Sequence, residues 1–395
     1  MGAVLVQHLV VVELAVALVA FPLARHSAWV VPGAALAVLL VAGVLPRYRG
    51  RRLALWPGIV LAFRRRRGTR RPAAAPAASD GHTPEADLAP VRECLPGLTV
   101  ASATDRGGRP VGMAGDGTFL TAVLLVEARD EPLRPRRDRR PLPLAALANA
   151  LRVDDVVLAS AQIAQHSQPA PAPHLPPEAL ATRAYTELRS REGGDVPAVR
   201  QTWIALRLEP ELCATAIAAR GGGAEGARRT LLRAVNSLAA ALADAGLACR
   251  PLDEHALTQA LFTAIGANRA VRRNSRGGTR TAEARHLWRC DDRWHTTYWI
   301  GRWPRVTAGT SPDIVGALTA TPGLATTFSL TAESGGGGSV GLTGHLRISA
   351  RSADELARSS QQLEQQARQL QMGLVRLDWE QQPALLATLP LGGRS

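Results

Sequence analysis

The chain has 395 residues, 33 acidic side chains, 47 basic ones that are all arginine, and a formal charge of +14. The absence of lysine excludes a Walker A phosphate loop, a kinase-type phosphate-pairing lysine and Schiff-base chemistry, since a guanidinium is too basic to act as an amine nucleophile. The four cysteines (Cys94, Cys213, Cys249, Cys290) and nine histidines are scattered without C-x-x-C or H-E-x-x-H spacing, so free thiols are expected and no metal or other cofactor.

Two apolar runs open the chain, residues 4–24 and 28–46. Each approaches the roughly 20 residues that cross a hydrocarbon core, and neither carries a small-residue cleavage site, so a retained pair of transmembrane helices is expected. Glu13 sits inside the first run, where a carboxyl group costs roughly 2.5–3.5 kcal/mol. A proton site, a helix–helix contact and a place near one leaflet are all compatible with it. Arg47, Arg49, Arg51, Arg52, Arg64, Arg65, Arg66, Arg67, Arg70 and Arg71 follow, against Arg25 and His26 between the runs. Positive charge stays on the cytoplasmic side, which places both termini in the cytoplasm of a cell with this chain in its inner membrane. Leu53–Phe63 is too short to span, so it reads as an interfacial segment with Trp56 at headgroup level and the flanking arginines on anionic lipid. Residues 1–71 hold 11 of the 47 arginines and one of the 33 acids, so +10 of the +14 lies there and +4 on the rest. That distribution argues against nucleic acid as the partner of the remaining chain.

Residues 72–97 form a Pro/Ala-rich linker, extended over Pro72–Pro90, and residues 98–395 a mixed α/β (α+β) cytosolic domain. Within it Thr118–Glu127, Val156–Ala164 and Arg200–Leu208 alternate as strands. Leu144–Leu151, Pro177–Arg191, Gly226–Ala245, Asp253–Ile265 and Ala353–Met372 read as helices, with Asp253 as an N-cap and Leu356, Leu363 and Leu370 on one face. Glu283–Cys290, Trp294–Trp303, Ala325–Glu333 and Ser339–Ser349 resemble two hairpins turning at Asp291–Arg293 and Gly335–Gly338. Arg134–Arg140 is a basic loop, open to lipid, an acidic partner or solvent alike.

Three features invite a functional reading. Gly221, Gly223 and Gly226 form G-x-G-x-x-G, but the preceding Glu211–Arg220 looks helical and no ribose-binding acid follows, which favours a helix–turn–helix junction over a dinucleotide loop. Asp291 and Asp292 near His295 have acid/base chemistry, although adjacent acids there also suit a polar turn. Trp288, Trp294, Trp299 and Trp303 fall within sixteen residues beside arginines that include Arg289. This is the composition of a partner-binding hot spot, with nucleic-acid stacking and a hairpin core as the other readings.

The basic hairpin anchor, QTWIALRLEPELC (201–213), RGGGAEGARRTLLRA (220–234), WRCDDRWHTTYWIGRWP (288–304) and ATLPLGG (387–393) together resemble the EccE family, membrane components of the actinobacterial type VII (ESX) secretion system. The resemblance implies a non-enzymatic structural subunit with two spans and a peripheral cytosolic domain, in a complex with EccB, the ATPase EccC and EccD. It implies no cofactor and no small-molecule substrate. The alternative, resting on a mixed α/β core beside a basic anchor, is a membrane-bound enzyme acting on a lipid-linked or nucleotide-sugar substrate.

Overall fold

A computed structural model describes residues 13, 17, 20, 32, 47–48, 51–52, 56–68, 84–128, 142–169, 178–191, 198–272, 279–304, 311–335 and 339–393. They divide into two compact units, 1–69 and 70–395. In the first unit the expected spans 4–24 and 28–46 lie outside the described residues except for Glu13, Ala17, Ala20 and Pro32, each helical and exposed. No helix among the described residues is long and apolar enough to cross a membrane. Two-residue strands β1 (Arg47–Tyr48) and β2 (Arg51–Arg52) pair antiparallel, and Arg49 and Arg70–Arg71 fall outside the described set. Helix α1 (Trp56–Gly68) follows, with Pro57 near its start, where a missing N–H costs nothing, and Arg65, Arg66 and Arg67 in its last turn, where cations complement the helix dipole. Phe63 is buried, with the Arg67 guanidinium 5.5 Å from its ring centre.

The second unit opens with helix α2 (Pro84–Cys94), which begins within the stretch Pro72–Pro90 expected to be extended and runs past its end. Its proline and alanine content hides an apolar stripe of Ala86, Leu88 and Val91, all buried. Pro90 cannot bond back to the Ala86 carbonyl, and Arg280 Nη1 donates to that oxygen instead at 3.1 Å. Next come β3 (Thr99–Thr104), β4 (Pro110–Gly115), β5 (Leu120–Ala128), α3 (Leu144–Ala150), the short pair β6 (Arg152–Val153) and β7 (Val156–Val157), β8 (Ser160–Pro169), α4 (Leu180–Arg191) and β9 (Ala198–Leu208). A 3-10 turn leads to α5 (Ala214–Ala219), α6 (Gly223–Asp244) and β10 (Leu247–Pro251).

After a two-residue joint the pattern begins again. Helices α7 (Glu254–Ile265) and α8 (Arg269–Arg272) precede β11 (Thr281–Glu283), β12 (Trp288–Cys290) and β13 (Arg293–Arg302). Then follow α9 (Ser311–Thr319), β14 (Ala325–Ser334), β15 (Val340–Ala350), α10 (Ala353–Gln369), β16 (Gly373–Arg376) and α11 (Gln381–Leu386). Most of the expected strands and helices are present with small shifts of boundary, but Glu283–Cys290 is no single strand, since 284–287 turn between β11 and β12, and Val156–Ala164 is divided between β7 and β8. Helix α7 is capped by Asp253, whose carboxylate accepts from Ala256 N at 2.8 Å.

Among the described residues twelve strands join in one sheet of antiparallel pairs, ordered β11-β12-β13-β15-β14-β8-β9-β5-β4-β3, with β10 also on β5 and β16 also on β13. Its two halves share one plan. In each, a helix leads into a three-strand meander (β3-β4-β5 or β11-β12-β13), a short helix, a hairpin (β8-β9 or β14-β15) and a longer helix (α6 or α10). A last strand (β10 or β16) then returns to the outer side of the meander's third strand. The halves meet at β8 and β14, which pair over eight residues from Ser160↔Glu333 to Ser167↔Thr326.

Both faces of this sheet are covered. One face carries α6 over Leu124, Ile163, Ile204 and Leu206 in the first half, and α10 over Tyr298, Phe328, Leu346 and Ile348 in the second. Leu356 and Leu363 of α10 are buried there, and Leu370 packs against the same cluster. The other face is covered by α2, α7 and the C-terminal residues Leu385, Leu389 and Leu391. Close approach on that side depends on Gly112: its N–H donates to Leu252 O at 2.7 Å, and a Cβ there would lie 2.6 Å from Asp253 O.

Candidate interaction site

Strand alternation separates the tryptophans. In β13, Trp294, Tyr298 and Ile300 point toward the α10 side and His295, Thr297 and Trp299 toward the other. Trp288 stands opposite His295, and Arg289 opposite Trp294. Trp288 is fully buried with its ring centre 5.3 Å from that of His295, so it belongs to the core. Trp294 and Trp299 are half-buried, and exposed Arg289 lies over the Trp294 ring at 5.8 Å. Trp303 is 38% exposed, edge-on to Phe328 at 6.4 Å, and so close to Gly344 that a Cβ there would lie 2.3 Å from its ring. Along the same face of β15, Val340 and Leu342 are also exposed. The tryptophans therefore form no single patch: one is core, and Trp294 and Trp303 sit at opposite ends of β13.

The other candidates are likewise tied to their surroundings. Asp291, at φ 52°, has both carboxylate oxygens on Arg280 at 2.8 and 2.6 Å and accepts Asn268 N–H at 2.8 Å. Asp292 accepts from Asn268 Nδ2, while His295 Nδ1 is 2.8 Å from Ser349 Oγ. Each of the three thus has its own neighbours. The Gly221–Gly226 run is the predicted helix junction. Gly221, Gly222 and Gly223 all have positive φ, and Gly226 lets α6 approach Ile217, whose carbonyl oxygen would lie 2.5 Å from a Cβ. Arg220 is paired with Asp155 at 2.7 Å and Arg233 with Asp154 at 2.7 Å, which fixes this junction to the β6–β7 turn. Among the described residues no group of three or more His, Cys, Asp or Glu side chains is gathered as for a metal ion. Arg134–Arg140 and part of the Gly335–Gly338 turn lie outside the described residues.

A buried polar seam, marked by no motif in the sequence, runs where the two halves meet. The sheet face opposite α6 and α10 carries Gln162 and His166 of β8, Thr327, Ser329 and Thr331 of β14, Arg347 and Ser349 of β15, and His295 of β13, all buried. The C-terminal tail serves part of it. Gln162 donates to Ala387 O at 2.8 Å and accepts Gly392 N–H at 2.9 Å, Ser160 donates to Gly392 O at 2.6 Å, and Thr121 to Leu391 O at 3.1 Å. Farther along, His166 Nδ1 meets Thr327 Oγ1 at 2.9 Å.

Burial, with the charges of Arg347 and Arg293 adding to it, holds the His166 pKa down to about 3 and that of His295 well below its usual range. Both imidazoles are therefore neutral in the fold. Below about pH 6.5 the unfolded chain binds protons that the native one refuses, so stability falls as pH drops from there toward 3. Equilibrium denaturation between pH 7 and 4 is expected to show this loss, approaching a tenfold shift per pH unit for each imidazole. His166→Gln should flatten the slope; an unchanged slope would contradict the buried neutral assignment.

Residues 196–300 match the family model described as "Putative type VII ESX secretion system translocon, EccE". Over that stretch the chain is similar to the EccE family. The EccE match runs from β9 through α6 and α7 into β13, so it crosses the joint between the two halves and contains Trp288 and Asp291. Of the segments that carry the resemblance in sequence, 201–213, 220–234 and most of 288–304 lie within it, while the tail 387–393 lies outside. No curated protein matches the chain.

Proposed function

We propose that this chain is a non-catalytic structural subunit of a type VII secretion membrane complex, held to the cell membrane by its N-terminal segment and active through protein contacts. The EccE match over residues 196–300 carries this reading. Two apolar runs at 4–24 and 28–46 and the arginines that follow support a two-span anchor with both termini cytoplasmic. Within α1, the run Arg64–Arg67 ends the helix in a cluster suited to anionic lipid, with Trp56 at headgroup depth. Export energy then comes from a partner, EccC, with EccB and EccD as the other neighbours. Of the candidate partner contacts, Trp303 and the Arg289–Trp294 pair offer accessible aromatic and cationic surface.

The test is purification of the tagged full-length chain from its own membranes in mild detergent. EccB, EccC or EccD should co-purify, and loss of the gene should stop export of the system's substrates. Failure of all three to co-purify, with export intact, would overturn the proposal.

A further inference from the structure

Helix α4 (Leu180–Arg191) lies in the β8–β9 connection, beyond the point where their ladder closes at Pro169↔Ala198. None of its described side chains is buried: Leu180 is 84% exposed, Leu188 40% and Tyr185 38%. At about 100° per residue these three share a face with Ala181 and Ala184, an arc of about 140°. The opposite face carries Thr186, whose hydroxyl donates to Thr182 O at 2.7 Å. A helix this short gains little in water from its own hydrogen bonds and ordinarily holds its shape by burying one side. The apolar stripe therefore calls for a cover.

The charges beside the stripe specify which. Arg183 and Glu187 line one flank a turn apart, and Arg191 also donates to Glu187. When a second α4 is laid antiparallel across a two-fold axis near Ala184 and Tyr185, the stripe matches itself. Leu180 meets Leu188, Ala184 meets Tyr185, and Arg183 of each copy meets Glu187 of the other, since antiparallel helices bring like flanks together. Alanine at the crossing lets the two axes approach to about 8–10 Å. Other covers match less of it: an anionic lipid surface or an acid-flanked helix answers Arg183 and opposes Glu187.

We propose that α4 is a self-association surface, covered by α4 of a second copy of this chain in antiparallel two-fold contact. The contact goes beyond the secretion reading and does not depend on it.

The experiment is cross-linking of the full-length chain in lysates of a host without type VII secretion proteins, which separates this contact from that reading. A bismaleimide is used whose reach matches the roughly 8–10 Å between packed helix axes. The unaltered chain, with its four cysteines buried or half-buried, gives the background. Ala184→Cys, on the stripe, is expected to yield a cross-linked dimer, and Thr186→Cys, on the opposite face, to stay at background. With Ala184→Cys present, adding Arg183→Glu sets acid against acid and adding Glu187→Arg sets arginine against arginine, so each alone is expected to lower the yield about tenfold. Two differently tagged copies, one with each reversal, should pair with each other and restore it. Equal yields from positions 184 and 186, no dimer from Ala184→Cys, or no restoration in the mixed pair overturns the proposal. In native membranes, a link from the Ala184→Cys variant to another protein, with none between copies, overturns it as well.

Discussion

Replacing Trp288 with alanine lowers the unfolding midpoint by roughly 6–10 °C, the scale expected when a fully buried tryptophan is cut back at a cost of about 3–5 kcal/mol. The side chain is 0% exposed, on the face covered by α7 and the C-terminal leucines, with its ring against His295. Its removal leaves a void where α7, β12 and the tail converge. Trp303→Ala removes a ring that is 38% exposed, and its cost in stability is expected to stay below about 1.5 kcal/mol. The pair of variants separates core from exposed surface: Trp288→Ala is expected to act on the midpoint, and under the proposed function Trp303→Ala is expected to act on co-purification instead. Equal midpoints for the two variants would refute the separation.

Removal of residues 387–395 is expected to leave a chain that does not reach the native fold. The tail buries Leu389 and Leu391, each worth about 1.5–3 kcal/mol. It also supplies the donor to Gln162 Oε1 and the acceptors of Ser160 and Thr121, buried polar atoms that would then lose those partners at about 1–3 kcal/mol each. Together these reach the whole stability of an ordinary domain, about 5–15 kcal/mol. A milder variant, Gly393→Val, places a side chain at φ 72° with its Cβ 2.1 Å from Thr331 Oγ1 and should displace the tail without removing it. Limited proteolysis reads both: rapid cleavage throughout residues 98–386 in the truncated chain, and faster loss of the tail in the glycine variant. A truncated chain as resistant as the intact one would show the tail to be an accessory.

Much of this architecture is legible in the residues, and the reasons for the gaps are physical. Long strands such as Arg200–Leu208 and helices such as Gly226–Ala245 are visible because their apolar residues keep one period over two or more turns. β4 is hidden because Pro110, Gly112 and Gly115 read as a turn, whereas Gly112 is there to admit the 252–253 backbone. Helix α2 is masked by proline, and its cost is met by Arg280, nearly two hundred residues away. The alternation Thr327-Phe328-Ser329-Leu330-Thr331 ordinarily means one dry and one wet face. Here the polar side is dry, because the tail and α7 lie over it, and nothing local announces that. For the same reason the sequence does not separate core from surface within the tryptophan cluster. Sixteen residues of sequence hold four tryptophans, but pleating sends them to two faces and a bulge between Ile300 and Arg302 re-aims the last. The repeated plan of the two halves is written in burial pattern and strand order, with different side chains at each step.

That repeated plan makes the second unit an intramolecular dimer. Strands β8 and β14, ten residues each, are the inner edges of the two halves, and each is capped by the other. Expressed alone, either half would present that edge as an open template for addition of a further strand. The two-residue joint between β10 and α7 holds the partners at high effective concentration, so closure of the seam does not depend on how much protein the cell makes. Severing that joint would turn an internal contact into a binding reaction with a dissociation constant of its own.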